Sequence, residues 1–86
     1  MKYKSIARPD VLIEAFQWDP KKPASTRPEW FNKLVNTGEV VHESNDSVSL
    51  PFPAMRSAHP GEFIVLQPND QVVATVSLHG WEPVTE

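Results

Sequence analysis

Three histidines, His42, His59 and His79, are the side chains best suited by type to hold a transition metal. They lie far apart in the chain, and there is no cysteine to help them. A zinc site would need all three imidazoles to converge without any of the short ligand spacings that normally bring them together. The sequence reads them as surface or turn histidines, and no metal or cofactor is expected. Nucleophilic catalysis has as little to work with, because none of the serines sits in a G-x-S-x-G elbow. Gly38, Gly61 and Gly80 are isolated, so no glycine-rich loop can cradle a phosphate. Hydrolysis by paired carboxylates would need two acids facing each other across a cleft, which a domain this small seldom builds.

Glu14 is the one carboxylate in an anomalous place, inside the apolar run from Val11 to Trp18. A buried carboxylate is costly unless it is paired or sits near an edge. It is read as a structural polar site satisfied by Lys, Arg or backbone donors, since no second acid at a fixed spacing makes it half of a catalytic pair. No catalytic residue is assigned. Binding is better supplied. Trp18, Trp30, Phe52, Met55 and Trp81 are of the types enriched at interface cores. A small core claims most of its aromatics, so the candidates for a surface are those least able to enter it. These are Phe52 and Met55 in a Pro-Phe-Pro segment, and Trp81 beside Gly80 in the C-terminal tail.

The elements that must position these residues follow from pattern. Eighty-six residues suffice for one domain and not for two separate cores. Residues 1–9 read as a basic arm that ends at Pro9. From Val11 a strand begins, with Val11, Ile13 and Ala15 on one face and Leu12, Glu14, Phe16 and Trp18 on the other. Apolar residues on both faces predict a strand covered from both sides, inside the sheet. Residues 19–25 form a Pro-rich connection. A helix from Arg27 to Asn36 follows, with Thr26 and Glu29 spaced as a capping box and Pro28 in the first turn. Trp30 with Leu34, and Phe31 with Val35, give it one apolar stripe, and Gly38 suits its C-terminal cap.

Residues 39–43 and 46–50 flank Ser44-Asn45 as a short hairpin. Residues 51–60 form a second Pro-rich loop in which residues 56–58 can make a further short strand. Residues 62–67 and 71–78 are strong strands expected to pair as a hairpin, with Val72, Ala74, Val76 and Leu78 sharing one face. Together these predict an α+β fold, a mostly antiparallel sheet of four to five strands with one helix packed on a face. Edge strands would permit dimerisation by strand addition, although nothing selects dimer over monomer.

Net charge is −3, divided as +3 over residues 1–33 and −6 over residues 34–86. The acidic balance argues against nucleic acid, whose phosphates dominate such affinities. A single-strand binder using the N-terminal Lys2, Lys4 and Arg8 with exposed aromatics is the alternative to a protein-binding module. No apolar run approaches the roughly 20 residues that span a bilayer, and no signal-type core follows the N-terminus, so the expectation is a cytoplasmic protein without a membrane partner.

Val11-Leu12-Ile13-Glu14-Ala15-Phe16-Gln17-Trp18, then His59-Pro60-Gly61-Glu62-Phe63-Ile64-Val65, and finally Trp81-Glu82-Pro83-Val84 stand in that order. This arrangement resembles a family of small, mostly uncharacterised proteins of tailed bacteriophages and prophages. Its pattern is I-E-A-x-Q-W near the N-terminus and P-G-[DE]-[FW]-I-[IV] later, closing on an aromatic followed by E-P-V. After Val65 the chain departs from that pattern, with Pro68-Asn69-Asp70-Gln71 and a plain strand in place of a Gly-Glu turn and a Pro-containing segment. The resemblance implies a non-enzymatic accessory protein inside the bacterial host, acting by contact with a host or phage protein.

Overall fold

The structure, a computed structural model, describes residues 2–51 and 56–84. The order of elements is β1 (Lys2–Ser5), β2 (Leu12–Gln17), a 3-10 turn (Ala24–Thr26), α1 (Glu29–Asn36), β3 (Val41–His42), β4 (Val48–Ser49), β5 (Ser57–Ala58), β6 (Phe63–Leu66), β7 (Val72–Thr75) and β8 (Trp81–Pro83). Every strand pair is antiparallel, in a five-stranded sheet of order β7-β6-β2-β1-β8 and a three-stranded sheet of order β3-β4-β5. This is a small α+β fold with one helix packed on the larger sheet.

β2 occupies the middle of that sheet because both its faces are apolar. Phe16 and Trp18 face a core shared with Phe31 of α1, Val48 of β4, Ala58 of β5 and Ile64 of β6. Ile13 and Ala15 face the other way, into a second cluster with Val65 that Tyr3, Val73, Leu78 and Trp81 cover. Trp18 is fully buried (0% exposed). Its indole Nε1 donates to the carbonyl of Asp46 at 2.8 Å, so the one polar atom of the side chain is satisfied. The β6–β7 hairpin holds the register Phe63↔Thr75 to Leu66↔Val72, and the β3–β4 hairpin pairs Val41↔Ser49 and His42↔Val48.

Four expectations change. First, residues 2–5 are not a free arm but β1, paired to β2 on one side and β8 on the other. Their Tyr3 covers the second apolar cluster, which gives a polar-looking segment a reason to be ordered. Second, the helix starts at Glu29 without a side-chain cap. Pro28 disfavours helical backbone in Arg27, which is extended at φ −93° and ψ 152°. Thr26 accordingly spends its hydroxyl on the carbonyl of Pro23, at 2.7 Å, and no capping box forms. The C-terminal end behaves as its glycine requires, since Gly38 at φ 82° turns the chain so that the amides of Glu39 and Val40 both donate to Leu34.

Third, residues 71–78 do not form one strand. β7 stops at Thr75, Val76 is 74% exposed, and Leu78 packs on the opposite face from Val72 and Ala74. The reason is topological. Thr75 stands level with Gln17, through Phe63, whereas Trp81 stands level with Val11, through Ser5. In a flat sheet those points would lie roughly 28 Å apart, given strand spacings of about 4.8 Å and a rise of about 3.3 Å per residue. The six steps between them reach only about 20 Å. The sheet therefore coils, and residues 76–80 cross its concave face as a strap, carrying Leu78 onto the Ile13–Ala15–Val65 cluster. Fourth, a second sheet exists in which three two-residue strands roof the core beside Trp18.

If Trp18 holds the layers together as described, Trp18→Ala lowers unfolding free energy by about 3–5 kcal/mol. Trp18→Phe keeps most of the volume but strands the Asp46 carbonyl, at about 1–3 kcal/mol. Urea unfolding of both variants checks this, and equal losses would show that the hydrogen bond, not the volume, carries the effect.

Candidate interaction surface

β8 is an edge strand, and Trp81 is its first residue. Its partner positions are Ser5↔Trp81, Lys4↔Glu82 and Tyr3↔Pro83. The type of turn places the indole, because Gly80 at φ 89° lets the Trp81 amide fold back to the carbonyl of Leu78 at 3.1 Å. Leu78 and Trp81 are thus fixed side by side. One side of the pair packs on the second apolar cluster, and Trp81 remains half-buried.

Two depressions meet at this pair. Beneath the strap lies a cavity of about 410 Å³ with Val11, Ile13, Val65, Val73, Leu78 and Trp81 among its apolar lining and Gln67, Thr75, Ser77 and His79 among its polar lining. On the outer side an open hollow of about 570 Å³ is lined by Ile6, Ala7, Leu78, His79, Gly80 and Trp81. Ile6 is 60% exposed at its rim. Clustered apolar side chains bordered by polar residues mark contact sites more often than scattered exposed leucines do. The strand's own outer edge is closed to ladder formation. The amide of Val84 bonds Lys2 and that of Ile6 bonds Gly80, so Pro83 falls on the outward-facing register and offers no donor there.

Of the residues the sequence singled out for binding, Trp81 therefore stands at the surface beside Leu78 and Ile6, while Phe52 and Met55 lie outside the described residues. The basic N-terminus is engaged in β1. Lys4 Nζ is 3.4 Å from Glu82 Oε1, an exposed pair worth at most about 1 kcal/mol. His42 lies against the Trp18 ring at 5.7 Å, and His59 and His79 sit in separate turns. Among the described residues no group of three or more His, Asp or Glu could hold a metal ion, and no helix is long and apolar enough to cross a membrane.

Glu14 lies opposite Lys2 of β1 and Leu66 of β6, half-buried. It lines a cleft of about 980 Å³, together with Tyr3, Arg27, Glu29, Trp30 and Lys33. The cost of a carboxylate in β2 is thus relieved by its position beside open space. Sequence reasoning missed Arg27, and placed Trp30 in the apolar stripe of the helix and among the interface-type aromatics without linking it to Glu14. The Arg27 guanidinium stacks on the Trp18 ring at 4.5 Å, with Nη2 donating to the carbonyl of Lys22 at 2.8 Å. Arg27 Nε and Trp30 Nε1 are buried donors with no hydrogen-bond partner. The sequence signal of Arg27 is its place just before the Pro28 helix start.

Trp81→Ala should cost much less stability than Trp18→Ala, because Trp81 is only partly buried, on an edge strand, whereas Trp18 is fully buried. Thermal unfolding of the two variants separates them, and equal shifts in Tm would place Trp81 in the core rather than at a surface. Comparison with known proteins found no family model, no curated protein and no solved structure that matches the chain.

Proposed function

We propose that this chain is a non-enzymatic protein-binding module that meets its partner through the face formed by Ile6, Leu78 and Trp81. The observation that carries this reading is the pairing of Leu78 and Trp81 by the Gly80 turn, which holds a large aromatic at the surface between two hollows of mixed lining. An aromatic in that setting has the character of an interface anchor, being rigid, partly desolvated before contact, and flanked by groups that exclude water. A phage or prophage setting, with a host or phage protein as partner inside the bacterial cytoplasm, rests on the sequence resemblance. Nucleic acid is the weaker alternative, since β1 commits Lys4 to Glu82 and holds the N-terminal segment in the sheet.

A tagged pull-down from bacterial lysate at moderate and high salt tests the reading, with Trp81→Ala and Leu78→Ser run beside the unaltered chain and circular dichroism as the folding control. The expected outcome is one dominant protein retained in high salt and lost with either folded variant. Nucleic acid that elutes as salt rises would instead support the alternative. A protein captured equally by all three chains would remove Trp81 from the interface.

A further inference from the structure

We propose that the cavity beneath the strap binds a small uncharged amphiphile, an aliphatic body that ends in one hydrogen-bonding group, with residues 76–80 as its lid. The cavity of about 410 Å³ has room for roughly a dozen heavy atoms, at the ~30 Å³ that a water-sized group occupies in a liquid. That volume falls within the range of small-molecule sites.

The floor of the site is one face of β2, β6 and β7. Val65 and Val73 stand opposite each other in the β6–β7 ladder, and Ile13 joins Val65 in the same cluster. Ile13 and Val65 are only 4% and 5% exposed, so the floor is already shielded from bulk water. Leu78 and Trp81 form the facing wall, each partly buried. The bonds described for the strap lie toward its ends. Thr75 Oγ1 donates to the Ser77 carbonyl at 2.9 Å, the Trp81 amide returns to Leu78, and the Ile6 amide donates to Gly80. Lifting Leu78 therefore leaves the sheet ladders intact. The cavity meets β8 only at its first residue, Trp81, whereas the Val84 amide bonds the Lys2 carbonyl at the far end of that seam. β4 and β5, on either side of residues 52–55, pack on the opposite face of β2.

The lining decides the chemistry of the ligand. Among the described residues it carries no Asp, Glu, Lys or Arg. A charged ligand would lose hydration there without gaining a counterion, which is costly. A hydroxyl, amide or carbonyl end does not meet that barrier, because Gln67, Ser77 and His79 supply donors and acceptors around the site. Thr75 gives its proton to Ser77 and keeps lone pairs for a ligand donor. The body of the ligand meets branched aliphatic side chains and one indole, whose many weak dispersion contacts suit a flexible chain. The outer hollow differs, since Ile6 and Ala7 line it and the floor residues Ile13, Val65 and Val73 do not. The cavity is thus a second site, on the inner side of Leu78 and Trp81. It stands independently of any protein that covers their outer side.

The probe is n-octanol, titrated to millimolar concentration into protein carrying ¹³C-labelled Ile, Leu and Val methyl groups. Saturable shifts are expected at the methyls of Ile13, Val65, Val73 and Leu78, with nuclear Overhauser contacts from the octyl chain to Ile13 and Val65. Octanoate, the same chain with an ionised end, should bind at least tenfold more weakly. Val73→Phe fills the cavity from its floor, and Ser77→Asp sets a charge beside it. Each should weaken octanol binding at least tenfold with the folded spectrum retained. Ser77 is exposed, so that variant carries the test even if Val73→Phe does not fold. Ile6→Ser alters the outer hollow alone and should leave the titration unchanged. Methyl shifts that are absent, or that drift without saturating, would overturn the proposal. So would octanoate binding as tightly as octanol, which removes the preference for an uncharged ligand. Loss of binding in Ile6→Ser would overturn it too, by placing the chain in the outer hollow.

Discussion

The indole of Trp18 and the carbonyl of Asp46 form the contact on which the layers depend. β2 ends one residue before Trp18, and the β3–β4 hairpin turns at the segment that contains Asp46. Without an acceptor at that depth, the N–H would be a buried orphan, and the largest side chain in the core would be driven outward. With it, the smaller sheet is pinned over the larger one. Phe31 of α1 then packs on the same ring at 5.7 Å, and Arg27 closes over its exposed approach. Asp46 itself sits at φ 65°, a conformation that Asp tolerates better than most residues, so the turn is shaped to present its carbonyl. Helix, hairpin and central strand therefore share one anchor.

Much of this layout is legible in the chain because it depends on short-range alternation. β2, β6 and the first half of the 71–78 run alternate cleanly, and the Trp30–Leu34 and Phe31–Val35 spacings write the helix on the sequence. What is not legible depends on where the sheet closes. Nothing local says that Thr75 must leave its ladder, since Val76 and Leu78 continue the apolar period without a break. That departure is imposed by the distance to β8 on the opposite edge. β1 is hidden for the same reason. Lys2 to Ser5 has the composition of a solvated arm and becomes a strand through the partners on either side of it. The capping box failed to form because two prolines, Pro23 and Pro28, set the local backbone before Thr26 could reach a helical amide.

The candidate sites divide in the same way. Trp81 is placed near the surface in the sequence by its position after Gly80 in the C-terminal tail, a local signal. Its company is not, since Ile6 arrives from the other end of the chain. Glu14 stands out as a carboxylate amid apolar residues, and the structure gives the physical reason it is tolerated, the open cleft it lines. Arg27 and Trp30 carry no mark in the sequence that would link them to β2. Their importance arises from a stacked ring and two unsatisfied donors, which only three-dimensional packing creates.

The pairing of β1 with β8 has a kinetic meaning. The Val84 amide bonds the carbonyl of Lys2, so the rungs that complete the larger sheet join the two most distant described segments of the chain. Loop-closure entropy makes such long-range rungs slow to form, so the β6–β7 and β3–β4 hairpins can assemble early while the β1–β8 seam waits. On a ribosome, β1 would remain single-partnered until β8 had emerged. The same adjacency means that a short peptide linking residue 84 to residue 2 would span almost no distance. New chain ends could then be opened at an exposed turn such as Pro68–Asp70, turning the slowest closure into a local one.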